Sequence, residues 1–299
     1  MKIIKPSVEF FGAVPTDYTN ALRFIEMAGR ACYKSEDKIT DKSAEPFVKR
    51  LIKSGHLAMV EHSNFVVRKD IEDIKELALV MCQLGNYLHV HGSETDTCYI
   101  GGSFTAWAQQ IQEIIKRAGS GGWNNSIFTP FLKKFGGLFF DVASDNLLEG
   151  WQVCPHNEIP KELHRYSAKF ICDRGVSHEL VRHRPCSFAQ ESTRYVNYGG
   201  KDMEFVEPAG MFEDPWPKVT RYGFEQSCRE AEISYGQLLS NGLKPQQARA
   251  VLPNALKTEI VVTADAAEWA HIKKLRTHPS AHPDMVRLMN MMPWEEMGL

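Results

Sequence analysis

The sequence predicts an α+β fold: a mixed or antiparallel sheet with helices packed against it, carrying a helical insertion. Three observations lead there. Segments with helical spacing of apolar residues outnumber the strand-like ones. The few strand-like segments do not alternate with helices in the βαβ manner that builds a doubly wound sheet. No repeat or low-complexity tract stands out, which sets solenoids aside. The 299 residues, 43 % of them hydrophobic, are enough for one large domain, or a domain with a substantial insertion.

Taken in order, Asp17 to Cys32 reads as a helix with Leu22, Ile25 and Ala28 facing inward and Thr16 as its cap. A second helix is expected from Ala44 to Ser54, ending at Gly55, where positive φ is tolerated. His62 to Val67 and Arg165 to Cys172 read as strands. Between them, Asp70 to Leu84 has Ile71, Ile74, Leu77 and Met81 on one helical face. Ala106 to Ala118 is a further helix, and Gly119 to Gly122 with Trp123 marks a loop. In the second half, Val219 to Ser240 is a long helix stopped by Asn241-Gly242, and Lys244-Pro245 opens a short one. Glu259 to Thr263 is β-branched and strand-like. Asp265 caps a helix running to Arg276, and Pro283 to Met292 is a last helix with Met285, Leu288, Met289 and Met292 inward.

Composition narrows the function classes. Charged residues make up 24 % of the chain and the net charge is −2, so no global field draws it to nucleic acid or to a membrane. A basic site would have to be a local concentration of arginines. The opening MKIIKPSVEF lacks the apolar core of a secretory signal, and no apolar run has the length to cross a bilayer. Seven irregularly spaced cysteines suit a reducing compartment better than a disulfide framework. A cytoplasmic protein is the expectation.

The informative stretch is Arg182-His183-Arg184-Pro185-Cys186-Ser187-Phe188-Ala189-Gln190-Glu191-Ser192-Thr193-Arg194-Tyr195. It crowds together groups that suit phosphate: arginine offers a fixed fork of donors, with Ser and backbone N–H groups between. The Gln190 amide can both donate and accept, as a pyrimidine edge requires. An Arg-His-Arg triplet alone is commonly a solvated basic corner. Here it is followed by seven residues, Ser192, and then Arg194-Tyr195.

That pattern resembles the signature of the flavin-dependent thymidylate synthases. The family commonly has Asn-Glu where this chain has Ala189-Gln190. Flanking segments agree with the resemblance. Gly55 to His62 is similar to the family's upstream segment, with Ala58 in place of a small hydroxyl residue. Ala248 to Pro253 resembles the segment whose arginine, here Arg249, binds nucleotide phosphate. Thr263 to His271, closing at Leu275-Arg276, resembles the downstream segment, with Asp265 and Ala267 where the family has Asn and Arg. The likeness covers about residues 15–67 and 165–292, so that about 68–164 reads as an insertion into a single domain.

The resemblance implies reductive methylation of dUMP to dTMP, with FAD as cofactor and methylenetetrahydrofolate and NADPH or NADH as co-substrates. It implies a homotetramer with shared active sites. It places Glu179, Arg182, Gln190, Ser192, Arg194 and Arg249 on the substrate. On the flavin side it places His56, Ala58, Arg182, His183, Arg184, Gln190, Asp265 and His271. Arg276 is set against the uracil ring, where a cation favours ionisation at ring nitrogen 3. Trp269 and Ile272 share a helical stripe with Arg276 and should pack inward, so that Arg276 emerges at its edge. Its alternative role is to meet the dipole of its own helix. No cysteine nucleophile is expected: Cys154-Pro155-His156 has the wrong order for one, and Cys186 reads as packing. Two rival readings stay open, a nucleotide-binding relative that has lost catalysis and a metal-dependent hydrolase. Against the hydrolase, His56 and His62 are not at i, i+4 spacing and no Cys/His set has zinc spacing, so no metal site is expected.

Overall fold

A computed structural model describes residues 1–71, 88–92, 97–118, 128–139, 150–211 and 218–299. Its strands are β1 (Lys2–Ile4), β2 (Ser7–Ala13), β3 (Phe65–Asp70), β4 (His89–His91), β5 (Thr97–Gly102), β6 (Gln152–Val153), β7 (Arg165–Asp173), β8 (Ser187–Gln190), β9 (Glu204–Val206) and β10 (Lys257–Asp265). With helices packed among mainly antiparallel sheets, the fold is α+β. The chain divides into two compact units, one of residues 1–12, 29–37 and 167–299, the other of residues 13–28 and 38–166.

The first unit holds the sheet β2-β7-β10-β8, with β8 and β10 antiparallel and Gln190 opposite Ile260. Strand β10 is central, and its Ile260, Val261, Val262 and Ala264 are all buried, as expected for a strand covered on both faces. Asp265 ends it and caps the following helix Ala266–Arg276, its carboxylate accepting from Glu268 N at 2.8 Å. Trp269 and Ile272 on that helix, and Met285, Leu288 and Met289 on the helix Pro283–Met289, are fully buried. The last helix thus stops three residues earlier than expected, although Met292 still packs inward. A second core gathers Met203, Phe205, Cys228, Tyr235, Ala248 and Leu256, drawing on the long helix Lys218–Ser240. Strands β1 and β9 pair in parallel beside it.

The second unit holds the antiparallel sheet β4-β5-β3-β6. Against it packs an aromatic core of Phe65, Phe104, Trp107, Phe128, Phe131 and Phe135, mostly edge-to-face or tilted. Trp107 Nε1 donates to the Phe65 carbonyl at 2.9 Å, which satisfies the indole's one polar group. The helix Phe104–Ala118 starts where Ser103 Oγ accepts from Ala106 N. The expected insertion is therefore not purely helical. It carries β4, β5 and β6 as well, β5 and β6 paired with β3 and β4 paired with β5.

Other differences are local. The cap of the first helix, Tyr18–Tyr33, is Asp17 rather than Thr16: its carboxylate takes Asn20 N at 3.0 Å and Asn20 Nδ2 at 3.1 Å. Strand β3 begins at Phe65; just before it Ser63 Oγ donates to Val60 O and accepts from Phe104 N, and Asn64 Nδ2 donates to Leu163 O. Among the described residues β3 pairs with β5 and β6, not with β7. The expected helix Asp70–Leu84 and loop at Gly119–Trp123 fall largely outside the described residues, and Asp70 itself closes β3.

Candidate active site

Most of the residues singled out above lie in the first unit, in three segments around β8 and β10. Strand β8 alternates: Ser187 and Ala189 are buried, with Glu191 following in the same phase, while Phe188, Gln190 and Ser192 are half-buried on the other side. That two-residue period explains why the motif mixes packing and polar residues. Glu191, 2 % exposed, accepts from Tyr198 Oη at 2.7 Å and from Lys257 Nζ at 3.3 Å. Lys257 also meets Glu259 at 2.6 Å, and Lys34 caps the same Glu259. Burial pushes the Tyr198 hydroxyl far up, and the neighbouring glutamates hold Lys257 raised despite its desolvation. This buried ion cluster anchors the 191–195 turn from behind.

On the outward side, Gln190 Nε2 donates to Ser177 Oγ at 2.8 Å and Thr258 Oγ1 at 3.2 Å. Arg174 donates to the same Thr258 hydroxyl at 3.3 Å and to Glu191 O at 3.4 Å. Ser192 Oγ accepts from Arg194 N at 3.3 Å. Arg194 and Arg249 are exposed and tie the turn to the 245–251 segment reciprocally. Arg249 donates to Thr193 Oγ1 at 3.1 Å, and Arg194 to Gln246 Oε1 at 3.3 Å. Arg194 also lies over the Tyr195 ring, which packs on Tyr33. The arginines expected on phosphate are thus brought together, with Arg174 as a third cation that sequence reading missed; burial lowers its affinity for protons, and Arg249 adds to that. A single arginine at a strand–helix junction gave no signal of this.

The third segment is the end of the helix Ala266–Arg276. Its Arg276 does not serve its own helix terminus. Nε donates to His183 Nε2 at 2.9 Å, Nη1 to Glu179 Oε2 at 2.6 Å and Nη2 to the Glu179 carbonyl at 3.2 Å. The guanidinium is 19 % exposed, at the edge of the Trp269/Ile272 stripe. His183, 6 % exposed, must be neutral to accept that bond. Burial, then the Arg276 charge, then His271 push its pKa down to about 4. The His271 ring stands edge-on to it. Arg182 and Arg184 flank it on the outside, Arg184 donating to the Val181 and His183 carbonyls. His56 and Ala58 are exposed residues of the second unit, at the start of the short helix Leu57–Val60. Among the described residues no group of three His, Cys, Asp or Glu side chains is arranged to hold a metal ion.

Residues 155–297 match the family model described as "Thymidylate synthase complementing protein". The match spans the signature, the Arg249 segment and the helix that ends at Arg276. Over that span the chain is similar to this family.

Relatives named flavin-dependent thymidylate synthase agree with it. The protein of Geobacter sulfurreducens is 38 % identical over 103 residues, 34 % of this chain and 43 % of that one. That of Thermococcus onnurineus is 36 % identical over 112 residues, 35 % of this chain and 42 % of that one. That of Mycobacterium tuberculosis (strain ATCC 25177 / H37Ra) is 35 % identical over 130 residues, 38 % of this chain and 50 % of that one. The chain therefore spans half or less of the length of these curated relatives. A solved UMP/dUMP methylase from Streptomyces cacaoi, bound with 5-Br dUMP, aligns over 99 % of this chain and 90 % of its own, at 16 % identity and a TM-score of 0.41.

Proposed function

We propose that the protein is a flavin-dependent thymidylate synthase, converting dUMP to dTMP with methylenetetrahydrofolate as carbon donor and NADPH or NADH as reductant. The observation that carries this reading is the Arg276 guanidinium, locked at the edge of a buried stripe by His183 and Glu179, together with a signature turn that gathers Arg194, Arg249 and Ser192. Carbon 5 of uracil needs electron density before it can attack a one-carbon donor. A fixed cation against the ring favours the pyrimidine anion and supplies that density without a covalent adduct. Arg194, Arg249 and Ser192 would hold the phosphate, and Gln190 would meet the base.

The residues present fit a diphosphate-bearing flavin such as FAD. Arg182 and Arg184 are exposed, and neither meets a carboxylate among the described residues, so both can take phosphate oxygens. The exposed His271 ring stands beside the buried His183, and His56, Ala58, His183 and Asp265 complete the set implied by the family. When bound, the flavin supplies the one-carbon and redox chemistry, while the chain's residues orient substrate and stabilise charge. The remaining parts of the reading are a single domain interrupted at about 68–164, a homotetramer with shared sites, and a cytoplasmic location. Among the described residues no helix is long and apolar enough to cross a membrane.

The test is dTMP formation under anaerobic conditions. Arg276→Ala should keep the flavin and lose about 10²–10³ in rate, the usual cost of removing a preorganised charge donor. Cys186→Ala should leave turnover largely intact. A dead Cys186→Ala beside a normal Arg276→Ala would replace this reading with a cysteine-nucleophile enzyme.

A further inference from the structure

Asp265 fixes the first turn of the helix Ala266–Arg276, and that places Glu268 at its third position. A glutamate at this place commonly reaches back to the cap backbone. Here the side chain is instead 7 % exposed, and its Oε1 lies 3.4 Å from His183 Nδ1. That approach is within reach but poorly aligned for a hydrogen bond, and Oε1 has no hydrogen-bond partner among the described residues. The Cys186 thiol meets the same carboxyl. Glu268 and Arg276 are eight residues apart, about 12 Å along the helix and a little over two turns, so both project on one side. His183 bridges them.

Arg276 Nε–H can donate only to an unprotonated Nε2, so the bond at 2.9 Å requires the Nδ1–H tautomer of His183. A neutral imidazole free of constraint can carry its proton on either nitrogen, and the Nε2–H form would turn an acceptor into a second donor facing the guanidinium. The Arg276 donor itself favours the proton on Nδ1, and the atom facing that proton is Glu268 Oε1. We propose that Glu268 is a positioning residue for Arg276: its carboxyl holds the Nδ1–H form of His183, so that Nε2 stays the acceptor that aims the guanidinium, with Glu179 gripping its other end. The catalytic meaning of this chain of contacts rests on the role of Arg276 proposed above; the tautomer itself does not. Two directions agree with it: the His183 imidazole is held neutral, and burial raises the Glu268 carboxyl above its ordinary range. A neutral carboxylic acid retains a carbonyl oxygen that accepts from Nδ1–H, so the relay does not need a charge on Glu268.

The experiment uses the full chain labelled with ¹⁵N-histidine, with His183→Gln to assign the resonance. Wild type should show the Nδ1–H signature for His183, Glu268→Gln should keep it, and Glu268→Leu should shift it towards the Nε2–H form. A wild-type His183 that is already Nε2–H, or one unchanged in Glu268→Leu, overturns the proposal. Kinetics give the second arm. Glu268→Leu should lower kcat tenfold or more with KM for dUMP changed less than threefold, and Glu268→Gln should restore kcat to within about threefold of wild type. A Glu268→Gln variant as impaired as Glu268→Leu, with its tautomer intact, overturns the positioning role. Wild type that makes no dTMP at all would sink the proposed reaction, while the tautomer measurement still decides for or against the Glu268–His183 link.

Discussion

The neutral state of His183 has a consequence for stability that can be measured without substrate. An unfolded histidine titrates near 6.5, whereas His183 in the folded protein is pushed down to about 4 by burial, by Arg276 and by His271. Between those values the unfolded chain binds a proton that the folded protein refuses. Stability therefore falls as pH drops through this window, and the group contributes nothing above about pH 7, where both states are neutral. The interval is about 2.5 pH units, and at 1.36 kcal/mol per unit the full loss is about 3 kcal/mol below pH 4. At pH 4.5 it should already be roughly 2–3 kcal/mol. His183 is 6 % exposed, so little of this is screened by solvent. Carboxylates titrate over the same range, and comparison with His183→Gln subtracts them, since glutamine can still accept from Arg276 but cannot charge. Urea unfolding of both proteins at pH 7.5, 6.0 and 4.5 gives the two slopes. Wild type should lose more stability than the variant by roughly 2–3 kcal/mol over that range. Parallel slopes would mean that His183 accepts a proton in the folded protein, and the neutral-acceptor geometry at Arg276 would be refuted with it.

Other expectations follow from the same geometry. Arg194→Ala should weaken dUMP binding by about 1.5–3 kcal/mol, the range for a charge-assisted hydrogen bond, and equal affinities in a titration would remove Arg194 from the phosphate site. Burial pushes the thiols of Cys32, Cys154 and Cys228 up to about 11 and that of Cys172 still higher. At pH 8 each should therefore react with a disulfide reagent at least about 10²-fold more slowly than in urea, because only the thiolate attacks. Mass spectrometry of the labelled native protein reads this site by site, and rapid native labelling of any of the four would contradict the burial described here.

How much of this was legible in the sequence depended on how local the determinant was. The Ala266–Arg276 helix could be read almost whole, because its cap at Asp265 and its Trp269–Ile272–Arg276 stripe lie within a dozen residues. The signature turn was legible as a motif, and its alternating packing and polar roles follow from the two-residue period of β8. Strands β4 and β6 were missed because they are too short to show a period, and β5 because it pairs with β3, remote in sequence. Thr16 was preferred to its neighbour Asp17 for the same kind of reason, since both are good caps and only the path of the first turn separates them.

The site divides along the same line, and the division says something about how it works. Residues that would meet ligand, such as Arg194, Arg249 and Arg276, were recognisable through the resemblance to family segments. The contacts that hold them were not, even where the partner, as with Glu179 and His183, was itself singled out. Glu179 grips Arg276 from 97 residues away, and Thr258 joins Gln190 to Arg174 across strands. A guanidinium has five donors and many rotamers, so by itself it is a poor locator of charge. It becomes one only when partners immobilise it before substrate arrives, since stabilisation that must first be organised is lost from the rate. In this protein the immobilising groups are a carboxylate, a carbonyl and one imidazole nitrogen, all from the stretch between Glu179 and His183. On the proposed reading, the chemistry of the site would be set as much by which nitrogen of His183 carries its proton as by the arginine to which the resemblance points.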